Sequence, residues 1–177
     1  MNKKIKSIGY ILLSAVITLF LYILLHEFGH TMVMLLVGAT ITNFSIFTAH
    51  VSAVGGDYTN LSSIWMHANG ALFPLVISYL YILLYQKGST KSLYRIFSYI
   101  FTLVPVISIL AWVIIPFAYL QGNIPINDDV TNFLTVFCEN YHPLIVSVTA
   151  AALIGIGIVL MIKKRVIYNF IEEIKQK

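Results

Sequence analysis

The basic residues of this chain are confined to three short clusters, and the long stretches between the clusters contain no lysine or arginine at all. The sequence has 177 residues, of which 59% are hydrophobic and 10% are charged. A typical soluble domain has about 25% charged residues. Neither 7–86 nor 96–162 contains a basic residue. These long stretches without basic residues favour membrane-spanning helices, and the charge distribution argues against a surface that binds nucleic acid.

Four stretches are long and apolar enough to cross a bilayer as helices, which takes about 20 residues each. They cover 8–37, 64–85, 96–120 and 143–162. Pro105 and Pro116 are expected to kink the third span, because proline removes a helical hydrogen bond. A short amphipathic piece is predicted at 130–141 and an amphipathic tail helix on the membrane surface at 163–177.

The three basic clusters flank these spans and indicate the orientation of the chain. They consist of Lys3, Lys4 and Lys6; Lys87, Lys91 and Arg95; and Lys163, Lys164, Arg165, Lys175 and Lys177. Under the positive-inside rule such clusters mark the cytoplasmic side. Four spans place both termini and the link between spans two and three on one side. We therefore predict a multi-pass cell membrane protein, one domain over 1–177, with both termini cytoplasmic.

The segment that follows the first span has the pattern of a β-hairpin. Residues 41–47 alternate and are β-branched, which favours a strand, and 51–54 are predicted to form the return strand. A Gly-Gly-Asp turn signal follows at 55–57. An ordinary extracytoplasmic loop is the alternative interpretation of this segment.

Within the first span lies the sequence His26-Glu27-Phe28-Gly29-His30. Residues four apart share one face of a helix, so the two imidazoles can bind one Zn²⁺ while Glu27 handles the protons of a water molecule. Ionisable residues are costly inside a membrane and are functional candidates by default. The alternative is that His26 and His30 are structural histidines that pack between helices.

Catalytic zinc usually has three protein ligands, so a third ligand is expected from elsewhere in the chain. The remaining candidates are Asp57, Asp128, Asp129, Glu139, His50, His67 and His142. His26 lies about 28 Å along the helix from Ser7, near the far end of the first span. The end of the third span brings Asp128 and Asp129 to that depth, and His67 lies there too. Asp128 or Asp129 could instead cap a helix, His67 could be structural, and His50, His142 and Asp57 are expected in loops or turns.

Three segments of the chain resemble the site-2 protease family of intramembrane zinc metalloproteases. The His-Glu motif followed by 38–46 resembles the passage from the zinc helix into a membrane-associated β-hairpin. The sequence Ala-Asn-Gly-Ala-Leu at 68–72 resembles a Gly-Pro-Leu motif, with Ala71 in place of the proline. The segment 123–129 resembles the Asn- and Pro-rich break whose aspartate is the third zinc ligand. The resemblance covers the core, 8–135; the extra span 143–162 and the tail 163–177 lie outside it.

The resemblance implies an all-α membrane protein with about four transmembrane helices, a membrane-associated β-hairpin after the first, and a broken helix carrying the third zinc ligand. It implies one Zn²⁺ per chain, held by His26, His30 and Asp129, with Asp128 as the alternative third ligand. Phe133 and Leu134 follow Asp129 at the spacing of the family. Glu27 is the expected catalytic residue and activates a water at the metal.

The implied activity is hydrolysis of peptide bonds in transmembrane protein substrates within the lipid bilayer. His67 and Asn69 are expected to contact the substrate, and Phe44, Ser45 and Ile46 of the hairpin to hold it as an added strand. A regulatory membrane partner and a homo-oligomer remain open, and no nucleic acid is expected. A membrane zinc carrier or sensor and a catalytically silent membrane scaffold are the alternative functions.

Overall fold

The computed structural model describes residues 3–123, 125–126 and 128–175, which are mostly helical with one small two-stranded sheet. The elements are α1 (Lys3–Leu36), β1 (Thr40–Ser45), β2 (His50–Val54), α2 (Asn60–Leu84), α3 (Ser92–Ser108), α4 (Leu110–Leu120), α5 (Asp129–Phe137), α6 (Leu144–Lys163) and α7 (Val166–Lys175). The predominantly helical class predicted from the sequence is confirmed.

The described residues contain four helical stretches long and apolar enough to cross a membrane, as predicted. They are Ile5–Leu36, Asn60–Leu84, Ser92–Leu120 and Leu144–Lys163. The second of these helices begins at Asn60, before the apolar run at 64–85, because hydroxyl side chains cap its N-terminus. The Thr59 side chain accepts a hydrogen bond from Ser62 N at 3.2 Å, and Ser62 Oγ accepts one from Thr59 N at 2.8 Å. This capping box satisfies amide groups that would otherwise lack partners at the helix start.

The third span is interrupted once, at Ile109, where α3 ends and α4 begins. Pro105 lies four residues earlier and removes one hydrogen bond from the last turn of α3. The hydroxyl of Ser108 donates to the carbonyl oxygen of Pro105 at 2.8 Å. Pro116 lies inside α4, which continues to Leu120. The helix is thus interrupted near Pro105, where a kink was predicted, whereas it runs on without interruption through Pro116.

The segment after α1 forms the predicted β-hairpin. Strands β1 and β2 pair antiparallel from Thr40 with Val54 to Ser45 with His50, with an irregularity between Ile41 and Asn43. After β2, the chain returns to the end of α1, where Asp57 N donates to the carbonyl oxygen of Val37 at 2.9 Å. The hairpin is therefore held beside the C-terminal end of α1.

The tail helix α7 packs against the protein along part of its surface. The rings of Phe170 and Tyr99 stack with centroids 3.9 Å apart. The buried Asn169 side chain donates to Tyr85 Oη and to the carbonyl oxygen of Lys87, both at 2.9 Å. These contacts bury one face of α7 in protein, because the polar Asn169 finds partners at the end of α2 and in the α2–α3 link. The expected position of the tail on the membrane surface stays a prediction.

Candidate metal centre

Three side-chain atoms from α1 and α5 converge on one point. His26 Nε2 lies 3.1 Å from Asp129 Oδ2, His30 Nε2 lies 3.2 Å from the same oxygen, and the two Nε2 atoms are 3.1 Å apart. The three atoms therefore form a nearly equilateral triangle. This group could hold a metal ion.

The dimensions and chemistry of this triangle fit zinc. Tetrahedral Zn²⁺ with bonds of about 2.0–2.1 Å to nitrogen and oxygen keeps its ligand atoms about 3.3 Å apart. Two imidazoles and one carboxylate are a donor set of catalytic zinc sites, which leave the fourth position open. The observed separations of 3.1 and 3.2 Å need to widen only slightly to admit the ion.

The orientation of His30 is fixed by a carbonyl group of the neighbouring helix. His30 Nδ1 lies 2.7 Å from the carbonyl oxygen of Met66 in α2. Since a carbonyl oxygen only accepts hydrogen bonds, Nδ1 carries a proton in this contact, and Nε2 is the ring nitrogen that faces Asp129 and is placed to bind a metal ion. Such a contact holds the ring of a metal-binding histidine in position.

Two glycines allow α1 and α2 to approach closely at this site. A Cβ at Gly29 would overlap the carbonyl oxygen of Asn69, and Asn69 Nδ2 donates to the carbonyl oxygen of Gly29 at 2.7 Å. A Cβ at Gly70 would overlap His30 Nε2 and lie 2.9 Å from His26 Cε1. Gly70 thus leaves the space in which the two imidazoles lie.

The two adjacent aspartates have different contacts. The Asp128 side chain caps α5, accepting from Val130 N at 2.8 Å and Thr131 N at 3.3 Å. Asp129 is the first residue of α5, and its carboxylate contacts His26 and His30. Of the two residues that the sequence left open as third ligand, the geometry therefore favours Asp129.

The charge state of Asp129 suits a metal ligand. Burial alone would raise the pKa of this carboxyl, but its hydrogen bonds with His26 and His30 hold the pKa well below its ordinary value. His67 adds to this effect, with Nδ1 3.7 Å from Asp129 Oδ1, a distance too long for a hydrogen bond. The carboxyl group is therefore ionised, as metal binding requires.

The triangle faces a cavity of about 550 Å³ that also contains Glu27. Glu27 is only 4% exposed, and its neighbours in the cavity wall include Tyr22 and Trp112. The hairpin contributes His50 and Val51 from β2. A carboxylate, a metal-binding group and a strand of the hairpin thus line one cavity.

The expected substrate residues are only partly brought to this cavity. His67 lines it. Asn69 is not among the described residues that line the cavity, because its side-chain amide donates a hydrogen bond to the carbonyl oxygen of Gly29. Phe44, Ser45 and Ile46 are likewise absent from the described lining, which receives residues 49–51 instead.

Of the remaining candidate ligands, Glu139 and His142 lie outside the described cavity lining, and only His50 belongs to it. Glu139 Oε2 accepts from Asn60 Nδ2 at 3.0 Å, and His142 Nδ1 accepts from Leu144 N at 3.3 Å. His50, expected in a loop, begins β2 and lines the cavity. Ile124 and Asn127 of the predicted helix break lie outside the described residues.

Several cavity residues were not singled out from the sequence. Tyr22 and Met34 continue the four-residue spacing of His26 and His30 along α1, and both line the cavity. This helical period was the signal that could have identified them. No comparable signal exists for the Met66 carbonyl, because a backbone group leaves no trace in the sequence.

In comparisons with known proteins, no family model, curated protein or solved structure matches this chain. The likeness to the site-2 proteases therefore remains a resemblance of short segments.

Proposed function

We propose that this protein is an intramembrane zinc metalloprotease that hydrolyses peptide bonds of transmembrane protein substrates. The observation that supports this most is the triangle of His26 Nε2, His30 Nε2 and Asp129 Oδ2 in a cavity that also contains Glu27. Metal-binding groups beside a buried carboxylate are the arrangement that metal-assisted hydrolysis requires. The four apolar helices support an active site within the bilayer.

Glu27 is the general base and then the general acid of this proposal. Zinc, when bound, supplies a Lewis acid that polarises the scissile carbonyl and makes water more acidic. Glu27 accepts a proton from the attacking water as its oxygen bonds to the carbonyl carbon. It then delivers that proton to the amide nitrogen as the carbon–nitrogen bond breaks. Its position on α1, one residue from His26, keeps the carboxylate beside the reacting atoms.

His67 is the side chain best placed to assist at the carbonyl oxygen. It lines the cavity, and its Nδ1 lies 3.7 Å from Asp129 Oδ1. In this proposal its imidazole donates a hydrogen bond to the oxygen on which negative charge develops. Asn69 has no such role, since its side chain joins α2 to α1.

The β-hairpin is proposed to associate with the membrane and to hold the substrate in an extended form. A helical substrate hides its peptide bonds, whereas an added strand exposes them and hydrogen-bonds to a sheet edge. Residues 49–51 at the start of β2 form one wall of the cavity. The substrate strand would therefore pass the metal centre along this part of the hairpin.

The first test is the zinc content of the protein purified in detergent. We expect about one zinc per chain, as one three-ligand site requires, and its loss in His26→Ala and Asp129→Ala. Glu27→Gln should keep the zinc yet lose cleavage of a transmembrane substrate by about 100-fold or more. A well-folded protein without zinc, or a Glu27→Gln variant with normal cleavage, would contradict the proposal.

A membrane zinc carrier has less support. An ion pathway needs polar side chains at several depths across the bilayer. Within the described part of the chain, the only group of three metal-ligand side chains close enough to hold an ion is the one at this centre. Zinc uptake into proteoliposomes that survives Glu27→Ala would favour the carrier. A silent scaffold would instead show no functional loss on changing Glu27.

A further inference from the structure

A second cavity of about 200 Å³ lies between α2, α4, α5 and α6. Ala71 and Trp112 line both this cavity and the one that holds the metal centre. The two cavities are therefore adjacent at these side chains. One wall of the second cavity is formed by α6, the span that lies outside the resemblance to the site-2 proteases.

The lining of the second cavity is suited to an apolar group. The cavity exists because the side chains of Ala68 and Ala150 are small. Phe133 and Leu153 form apolar parts of its wall. The hydroxyl of Thr149 donates to the carbonyl oxygen of Ile145 at 2.8 Å, so it is already satisfied within α6. An apolar cavity of roughly 150 Å³ accepts a benzene molecule. A cavity of about 200 Å³ has room for a side chain of the size of leucine or phenylalanine.

We infer that this second cavity binds a large apolar side chain of the substrate next to the peptide bond that is cleaved. The inference rests on the proposed function, and it specifies the substrate class. The position supports this occupant, because a peptide held at the metal centre presents its neighbouring side chain at Ala71 and Trp112. Trp112 packs edge-on against Phe133, with ring centroids 5.1 Å apart, which holds the indole ring in place where the two cavities adjoin.

Hydroxamates test this subsite without a known substrate, because the hydroxamate group binds zinc and carries a variable substituent. Acetohydroxamate is compared with its isobutyl and benzyl derivatives on the zinc-loaded protein in detergent, by calorimetric titration. We expect the two derivatives to bind tighter than acetohydroxamate by about tenfold or more, the gain typical of apolar groups in a fitting pocket.

Ala150→Leu fills the cavity from α6, away from the metal. It should abolish the gain from both substituents and leave acetohydroxamate binding unchanged, which also shows that the variant is folded. Ala151→Leu is the matched control, because the same change is made one residue further on, at an exposed position. Leu153→Ala enlarges the cavity and should favour the benzyl over the isobutyl derivative.

The outcomes separate this inference from the function on which it rests. Normal acetohydroxamate binding with no gain from the substituents would overturn the subsite and leave the metal centre intact. A gain that persists in Ala150→Leu would also overturn it, and would leave the cavity to another occupant such as a lipid acyl chain. Failure of acetohydroxamate itself to bind the zinc-loaded protein would remove both the subsite and the proposed function.

Discussion

Gly70 of α2 lies directly against the imidazole of His30, so that a Cβ at this position would overlap Nε2, the atom that faces Asp129. The same Cβ would lie 2.9 Å from Cε1 of His26. The metal-binding geometry of one helix thus depends on the absence of a side chain on its neighbour.

Gly70→Ala should therefore weaken zinc binding. The imidazoles would have to move to admit the methyl group, and movement of their nitrogen atoms destroys the triangle. We expect zinc affinity to fall by about tenfold or more, the range seen when supports of metal ligands are altered. Competition with a zinc chelator measures the affinity. Gly155→Ala in α6 is the control, since its Cβ would meet no atom within 4 Å; equal affinities in the two variants would contradict the prediction.

Asp128 and Asp129 should respond differently to replacement by alanine. Asp128→Ala removes the cap of α5 and should lower the free energy of unfolding by about 1 kcal/mol, while zinc binding persists. Asp129→Ala should lose the zinc. Thermal unfolding in detergent and metal analysis measure the two effects, and Asp128→Asn, which can still cap, serves as the control. Loss of zinc in Asp128→Asn with retention in Asp129→Ala would reverse the assignment.

Asn169→Ala should loosen the tail helix α7. The change leaves Tyr85 Oη and the Lys87 carbonyl oxygen without their donor, and buried hydrogen bonds of this kind contribute about 1–3 kcal/mol when one partner is removed. We expect faster tryptic cleavage near the basic residues between α6 and α7. Tyr168→Ala, at a half-exposed neighbouring position, should leave the cleavage rate unchanged. Equal cleavage rates in both variants would show that Asn169 does not hold the tail.

The orientation of the chain can be tested by labelling single cysteines in intact cells. In a Cys138→Ser background, a membrane-impermeant maleimide should label Thr48→Cys in the hairpin turn but not Thr90→Cys in the α2–α3 link. The positive-inside rule predicts this, because the link and the start of α3 together carry three of the basic residues. Labelling of Thr90→Cys from outside would reverse the orientation and place both termini outside the cytoplasm.

Hydrophobic patterning predicted most of the fold. The span boundaries follow from long apolar runs, and the hairpin follows from the alternation in its strands and the turn signal after the second strand, because these signals are local. The start of α2 was placed too late since Thr59 and Ser62, which cap it, interrupt the apolar pattern rather than extend it. The contact of α7 with α3 was not predictable, because an amphipathic helix can bury its apolar face in lipid or in protein.

At the site, the motif of α1 predicted which histidines face one another, since helical spacing determines it. The substrate contact expected of Asn69 stays a prediction; in the structure its side chain donates to the carbonyl oxygen of Gly29, and a polar side chain near a metal site can serve either the substrate or a helix contact. The hairpin residues that line the cavity are 49–51, whereas the residues expected to hold the substrate were Phe44, Ser45 and Ile46, and that expectation stays a prediction. Alternation indicates which residues share a face, but it does not indicate which strand lies next to a neighbouring helix.

The 99 residues that separate His30 from Asp129 make the complete centre a late product of biosynthesis. A growing chain that has inserted only α1 and α2 carries two imidazoles and Glu27, but it lacks the carboxylate that closes the triangle. On the proposed function, the third ligand is synthesised only after α4, and it is the first residue of α5. In a protein that cuts its neighbours, this order would act as a safeguard, keeping unfinished molecules harmless to the membrane in which they are made.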